Sequence, residues 1–171
     1  MVGLLGAMGY PAKADIVQID IGMSVDAARG ALQENDGTIA VDSDDAAWHI
    51  LIAQQSGVTL NLLFENDRLR YVSYDFFRAA FSHSEPGTSA HCRDSFDAAI
   101  ALLEKSYGKG DKTSKMSWPE REFIMTWRGR QYYAVARQLS DVNGCLLVKA
   151  LVFDGNEADF RAFDARLSKL K

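Results

Sequence analysis

The chain has 171 residues, of which 47% are hydrophobic and 25% are charged, and its formal net charge is −4. This balance is typical of a globular protein. It argues against nucleic acid as a partner, because phosphate binding requires clustered lysine and arginine. No apolar run in the sequence approaches the roughly 20 residues that a transmembrane helix needs.

The first 14 residues combine a short apolar run with Ala12-Lys13-Ala14, which stands directly before Asp15. Ala12 and Ala14 are small residues at the third and first positions before this break, which is typical of the cleavage site of a secretory signal. The basic segment that normally precedes the apolar run is missing, which a start upstream of Met1 would explain. We therefore expect residues 1–14 to be a truncated signal peptide and the protein to be periplasmic or secreted. A packed or loose arm on a cytoplasmic protein is the alternative.

A short sequence that is typical of a helix start occurs twice, as SVDAA at residues 24–28 and SFDAA at residues 95–99. Ser24 and Ser95 are placed to accept a hydrogen bond from a free N–H of the first turn. An aspartate then follows in the first turn, where the helix dipole favours a negative charge. Gly108 is expected to end the second helix.

Strand-like segments follow each predicted helix. The predicted strands are residues 47–54, 58–64, 69–74, 121–127, 131–139 and 145–153. Residues 111–117 are expected to be a polar linker or a weak strand. Glu65-Asn66-Asp67-Arg68 separates two apolar runs and predicts a hairpin. The acidic stretch at residues 38–46 is expected to be a solvated turn, since it lacks the glycine and glutamate of a calcium-binding loop.

This order predicts an α+β protein built as a tandem repeat of two units, each a helix with an antiparallel sheet, followed by an added C-terminal helix. The predicted boundaries are residues 15–77 for the first unit, 78–93 for a linker loop, 94–154 for the second unit and 155–171 for the last helix. Because loops often carry function, the linker is one candidate for a binding segment.

The two cysteines, Cys92 and Cys145, are compatible with either redox compartment. In an oxidising compartment they could form one disulfide, whereas in the cytosol they would be buried or idle thiols. Both alternatives remain open, because the distance between the two residues decides between them.

The sequence contains no motif that assigns a catalytic group, a metal site or a cofactor. A small hydrolase or metal-dependent enzyme would have to use His83, His91, Cys92 or Asp94. Neighbours in sequence rarely place a nucleophile against its base, and zinc sites usually show paired ligands. His49 lies in a predicted strand and is expected to be a sheet histidine.

Aromatic and arginine residues cluster in the second unit, a composition that is typical of protein-binding surfaces. The candidate binding residues are Trp127, Arg128, Arg130, Tyr132 and Tyr133. They would lie on the sheet face that the helices leave free. The alternative is that the aromatic rings pack against Phe160 and Phe163 of the last helix.

The segment IGMSVDAA at residues 21–28, followed by the hairpin LLFENDRLRYV at residues 62–72, resembles small bacterial envelope domains. These are the β-lactamase-inhibitor-protein-like fold and the SmpA/OmlA-type outer-membrane assembly lipoproteins. The resemblance covers most of residues 16–153, with LEKSYG at residues 103–108 as a further match. It implies helices on an antiparallel sheet, in tandem in the inhibitor family, and an envelope location. There is no lipobox cysteine near the N-terminus, so no lipid anchor is implied.

From these observations we expect a binding module, either inhibitor-like or an envelope accessory factor, whose partner is another protein. The enzyme described above is one alternative. The other alternative is a carrier that holds an apolar ligand between helix and sheet. An enclosed apolar cavity in the structure would favour this carrier. The sequence does not define an oligomeric state.

Overall fold

The computed structural model describes residues 16–45, 48–78, 89–117, 120–141 and 144–167. Three helices are described: α1 (Val25–Glu34), α2 (Ser89–Tyr107) and α3 (Glu157–Leu167). The strands are β1 (Thr38–Asp45), β2 (Trp48–Gln55), β3 (Val58–Glu65), β4 (Arg68–Arg78), β5 (Asp111–Ser117), β6 (Glu120–Arg128), β7 (Tyr132–Asp141) and β8 (Gly144–Asp154). The protein is therefore α+β, as the sequence predicts.

All eight strands form one antiparallel sheet in the order β1-β2-β3-β4-β8-β7-β6-β5. Each half of the sheet is a series of hairpins between neighbours in sequence. The two halves meet where β4 pairs with β8, for example Val72 with Val152. In chain order, α1 is followed by four strands and α2 by another four.

The start of α1 follows the sequence prediction. The Ser24 hydroxyl accepts a hydrogen bond from the Ala27 N–H at 3.2 Å, and Asp26 lies in the first turn. Ala28 and Leu32 are buried, because their spacing places them on one side of the helix. The N–H of Gly37 then donates to the Leu32 carbonyl at 2.8 Å, which ends the helix.

The predicted start of the second helix is wrong. Helix α2 begins at Ser89, so Ser95 lies inside it and caps nothing, and residues 89–93 of the predicted linker are helical. The predicted end is confirmed, since Gly108 follows α2 with a φ of 68° and donates its N–H to the Glu104 carbonyl. Glycine adopts this left-handed conformation without a steric penalty.

Helix α3 begins two residues later than the turn at Asp154-Gly155. Asn156 accepts hydrogen bonds from the N–H groups of Ala158 and Asp159, at 2.9 and 3.1 Å. The Asp159 carboxylate accepts in return from the Asn156 N–H at 3.1 Å. This reciprocal arrangement is a capping box, and it fixes the start of the helix.

Two hairpins follow the predicted turns. Asn66 and Asp67 have φ values of 53° and 57°, and Ser56 and Gly57 have 50° and 80°. Two successive left-handed residues give the turn whose twist matches that of the flanking strands. The predicted turn over the acidic stretch is wrong, because residues 38–45 form the edge strand β1. The stretch at residues 111–117, expected to be a linker or a weak strand, is the opposite edge strand β5.

One hydrophobic core lies between the sheet and the helices α1 and α2. Alternate residues of each strand point into it, such as Leu51 and Ala53 of β2 or Ala134 and Ala136 of β7. We call this side of the sheet the helix face. A disulfide between Cys92 of α2 and Cys145 of β8 joins the two layers, with the Cα atoms 5.4 Å apart.

Candidate functional site

The other side of the sheet, which we call the open face, carries only α3 among the described helices. Phe163 of α3 packs against Trp48, Tyr71 and Phe153, with ring centroids 5.0 to 5.8 Å apart. Phe160 stacks on Tyr133 at 5.1 Å. All these partners lie at the same end of the sheet. Helix α3 therefore crosses the sheet at one end.

Further from α3, the open face consists of partly exposed aliphatic side chains. Their neighbours in each strand point to the helix face, so these side chains point away from the core. The set comprises Ile52, Leu151 and Ile124, with Ile50 and Leu63 nearer to α3. The register places Asn61 and Ser73 between Ile52 and Leu151, and it places Ile124 opposite Arg137. Partly exposed apolar side chains on a sheet surface form a potential contact area for another molecule.

Polar groups border these aliphatic side chains. Register places Asp75 of β4 opposite Lys149 of β8, and Lys149 opposite Arg137 of β7. Arg137 forms an ion pair with Glu122 of β6. On the β3 side, the Asn61 amide donates to the Asp75 carboxylate at 3.4 Å. An apolar area next to a row of mixed charge is the composition of a protein-binding surface.

The five predicted binding residues do not form one surface. Trp127 is buried on the helix face and its indole N–H donates to the Gly108 carbonyl at 2.7 Å. Tyr132 also lies on the helix face, with its ring 4.5 Å from that of Tyr107. Tyr133 lies on the open face under Phe160. Arg130 is exposed in the turn between β6 and β7.

Arg128 is engaged by neighbouring acids. Its Nε donates to Glu157 at 2.7 Å, and Asp111 lies 3.5 Å away. The hydrogen bonds from Arg128 and Arg161 hold the pKa of Glu157 below its usual value. Of the predicted set, Arg128 and Tyr133 therefore support α3. The aliphatic residues of the open face were missed, although apolar side chains at alternate positions, such as Ile50 and Ile52, could have indicated them.

A second polar cluster lies where α1 meets β1 and β2. Arg29 of α1 donates to Asp42 at 2.7 and 2.9 Å, which lowers the pKa of that carboxyl. Nδ1 of His49 lies 2.8 Å from Asp44. Nε2 is 2.9 Å from Asp42, but this contact is not oriented as a hydrogen bond. No group of three metal-binding side chains occurs within the described ranges, so the cluster is an ion-pair network.

The structure also bears on the enzyme alternative. Cys92 is bonded to Cys145 and therefore offers neither a thiol nucleophile nor a zinc ligand. Asp94 is exposed on α2. His83 lies outside the described residues, as does the side chain of His91. Cys92 therefore supplies no catalytic thiol while the disulfide is intact.

The buried Tyr74 and the partly buried Tyr107 have raised pKa values. The Tyr74 hydroxyl accepts a hydrogen bond from the Ile19 N–H at 3.0 Å, and burial raises its pKa above the usual range. Burial also raises the pKa of Tyr107 to about 12. Both groups are neutral at physiological pH and serve the core, because they connect residues 16–20 and α2 to the sheet.

Comparisons with protein-family models, with curated proteins and with solved structures find no match. In the described part of the chain, no helix combines the length and apolar character needed to cross a membrane.

Proposed function

We propose that this protein is a binding module whose partner is another protein, and that the open face of the sheet is its contact surface. The observation that carries the proposal is the set of partly exposed aliphatic side chains on the open face, which includes Ile52, Leu151 and Ile124. Such side chains lose contact with water when a partner covers them, which favours association. The bordering row of Asp75, Lys149 and Arg137 would give the contact its specificity.

We further propose that the protein acts in the periplasm or outside the cell, as an inhibitor or an envelope accessory factor. The disulfide between Cys92 and Cys145 supports this location, because disulfides persist in oxidising compartments. Cleavage near Asp15 would release the mature protein. N-terminal sequencing of the protein made from its native locus should then find a start near Asp15, and an intact Met1 would contradict export by this signal.

The proposed ancestry is a duplication of one helix-plus-sheet unit, as the resemblance to β-lactamase-inhibitor-protein-like and SmpA/OmlA-like domains implies. The identical order of α1 with β1–β4 and of α2 with β5–β8 supports it. The short sequence match does not, because Ser24 precedes α1 while Ser95 lies within α2. The common element order is therefore the stronger argument.

The binding surface can be tested by quantitative capture of partners from an envelope extract. The variants Ile52→Asp and Ile124→Asp each place a charge on the open face, one in each half of the sheet. Ala101→Asp is the matched control, because Ala101 is exposed on α2 on the opposite side of the sheet. We expect the two face variants to retain about a tenth or less of the captured partner and the control to retain all of it.

Circular dichroism establishes that all three variants are folded before capture is compared. Equal capture by the folded face variants and the parent protein would show that the open face is not the contact surface. Capture no greater than that of bare resin would contradict the binding function itself.

A further inference from the structure

The two edges of the sheet run in opposite directions. The order begins with β1 and ends with β5, and every neighbouring pair is antiparallel. With eight strands, the first and the last must therefore be antiparallel to each other. A second copy that is shifted sideways in the plane of the sheet brings its β1 alongside β5 of the first copy. The pair is then antiparallel, and the helix faces of both copies lie on the same side.

The charges at the two edges are opposite in sign on the helix face. Asp42 and Asp44 of β1 lie on this face, since Asp42 contacts Arg29 of α1. Lys112 of β5 lies on it too, because it pairs with Met125, a residue packed against the core. One antiparallel alignment of the two edges places Asp44 directly opposite Lys112 and Asp45 opposite Asp111. Over the whole edges, three aspartates of β1 face one aspartate and two lysines of β5, so opposite charges prevail. Opposite charges in that position favour strand pairing, and like charges oppose it.

The exposed large hydrophobic side chains lie on the same two edge strands, β1 and β5. Among the described residues, two large hydrophobic side chains are classed as exposed: Val41 of β1, at 38%, and Met116 of β5, at 81%. On one side of β1 and of β5, no strand among the described residues uses the backbone N–H and C=O groups. Pairing between copies would satisfy these groups and cover part of both side chains.

We propose that copies of this chain associate edge to edge, with β5 of one copy beside β1 of the next, so that one antiparallel sheet continues through both. The second copy is the occupant that the charges favour, because β1 beside β1 would set Asp42 and Asp44 against each other. This contact uses two different surfaces of the chain and is therefore open-ended: each added copy leaves one β1 and one β5 free. It is independent of the open face.

Sedimentation velocity over a wide concentration range tests the association. We expect the average sedimentation coefficient to rise with concentration beyond the value for a dimer at low salt. High salt should weaken the association about tenfold, because salt screens exposed charges. A monomer at all concentrations would overturn the proposal. So would a species that levels off at the dimer, since that indicates a two-fold contact.

Charge reversals identify the edges. Asp44→Lys and Lys112→Glu should each weaken self-association about tenfold or more. Asp97→Lys and Lys105→Glu on α2 make the same changes of charge at exposed positions away from both edges, and should have no such effect. Thermal unfolding verifies that all four variants are folded.

A mixture of the two edge variants provides the sharpest comparison. The Asp44→Lys variant keeps an intact β5, and the Lys112→Glu variant keeps an intact β1. Equal amounts of the two should therefore associate although neither does so alone, because Lys112 faces Asp44 at one contact and the introduced glutamate at position 112 faces the introduced lysine at position 44 at the next. Association of the Asp44→Lys variant alone at the strength of the parent protein would overturn the role of β1, and absence of association in the mixture would overturn the pairing.

Discussion

The indole N–H of Trp127 donates to the backbone carbonyl of Gly108 at 2.7 Å, which fastens the sheet to the end of α2. The ring also lies against Gly110, where an added Cβ would come within 2.6 Å of it. Trp127 is therefore a core residue whose polar atom has a defined partner, as buried tryptophans usually require.

Substitution of Gly110 by alanine should destabilise the protein by about 1–3 kcal/mol, because the new methyl group would collide with the Trp127 ring. Gly30→Ala is the matched control, since nothing lies within 4 Å of a Cβ at that position in α1. There we expect a gain of about 0.5–1 kcal/mol from the better helix propensity of alanine. Urea denaturation measures the free energy of unfolding of both variants. Equal changes at the two sites would contradict the described packing.

Replacement of Cys92 and Cys145 together by alanine should lower the free energy of unfolding by about 2–4 kcal/mol. The disulfide closes a loop between residues 53 positions apart, and its loss gives the unfolded chain more freedom. Chemical denaturation of the oxidised protein and the double variant measures the difference. Reduction of the parent protein should reproduce most of this decrease in the free energy of unfolding. An unchanged denaturation midpoint after complete reduction would contradict this expectation.

Phe163→Ala should release α3 from the sheet, because Phe163 is 2% exposed and contacts three aromatic rings. Loss of a large core aromatic costs about 3–5 kcal/mol where the whole fold depends on it. Here we expect amide hydrogen exchange to increase most in residues 157–167, since the variant leaves the helix face intact. Ala162→Gly, at an exposed position of α3, tests whether weaker helix propensity alone produces the same pattern.

The ion pair between Arg29 and Asp42 should stabilise the fold in a pH-dependent way. Its hydrogen bonds lower the pKa of Asp42 in the folded state. The stabilisation is therefore fully present above the unfolded-state pKa of about 3.9 and is lost as the pH falls through the folded-state pKa. Asp26, Asp44 and His49 also face this group and share the network.

The difference in melting temperature between the parent protein and an Asp42→Asn variant should accordingly be larger at pH 6 than at pH 3. High salt should reduce the difference, because the pair is accessible to solvent. A difference that stays constant from pH 6 to pH 3 would show that charge on Asp42 contributes nothing.

The α+β class, the end of α2 and the hairpin at Asn66-Asp67 were predictable, because each depends on local spacing or on a turn residue. The edge strands β1 and β5 were missed or predicted only weakly. Their sequences, TIAVDSDD and DKTSKMS, are mainly polar because each strand has a neighbour on one side only. The start of α2 was missed because its first turns lack a regular apolar stripe.

The candidate site was less predictable than the fold. The cluster of aromatic residues in the second half led to the prediction that Trp127 and Tyr132 belong to a binding surface. Both residues lie on the helix face instead. The alternation of Phe123, Met125 and Trp127 could have placed Trp127 in the core. The position of α3 could not be derived from sequence periodicity, because it depends on which rings of four separate strands meet at one end of the sheet.

The pairing of β4 with β8 has a consequence for how the protein folds. The hairpins within β1–β4 and within β5–β8 close short loops, whereas the central pairing must close a loop that contains α2 and three strands. Contacts between distant parts of the chain form slowly. We expect the middle of the sheet to form last, which leaves a nascent chain with two additional unpaired edges. Exchange of halves between neighbouring chains at this stage is the misfolding route that the topology favours.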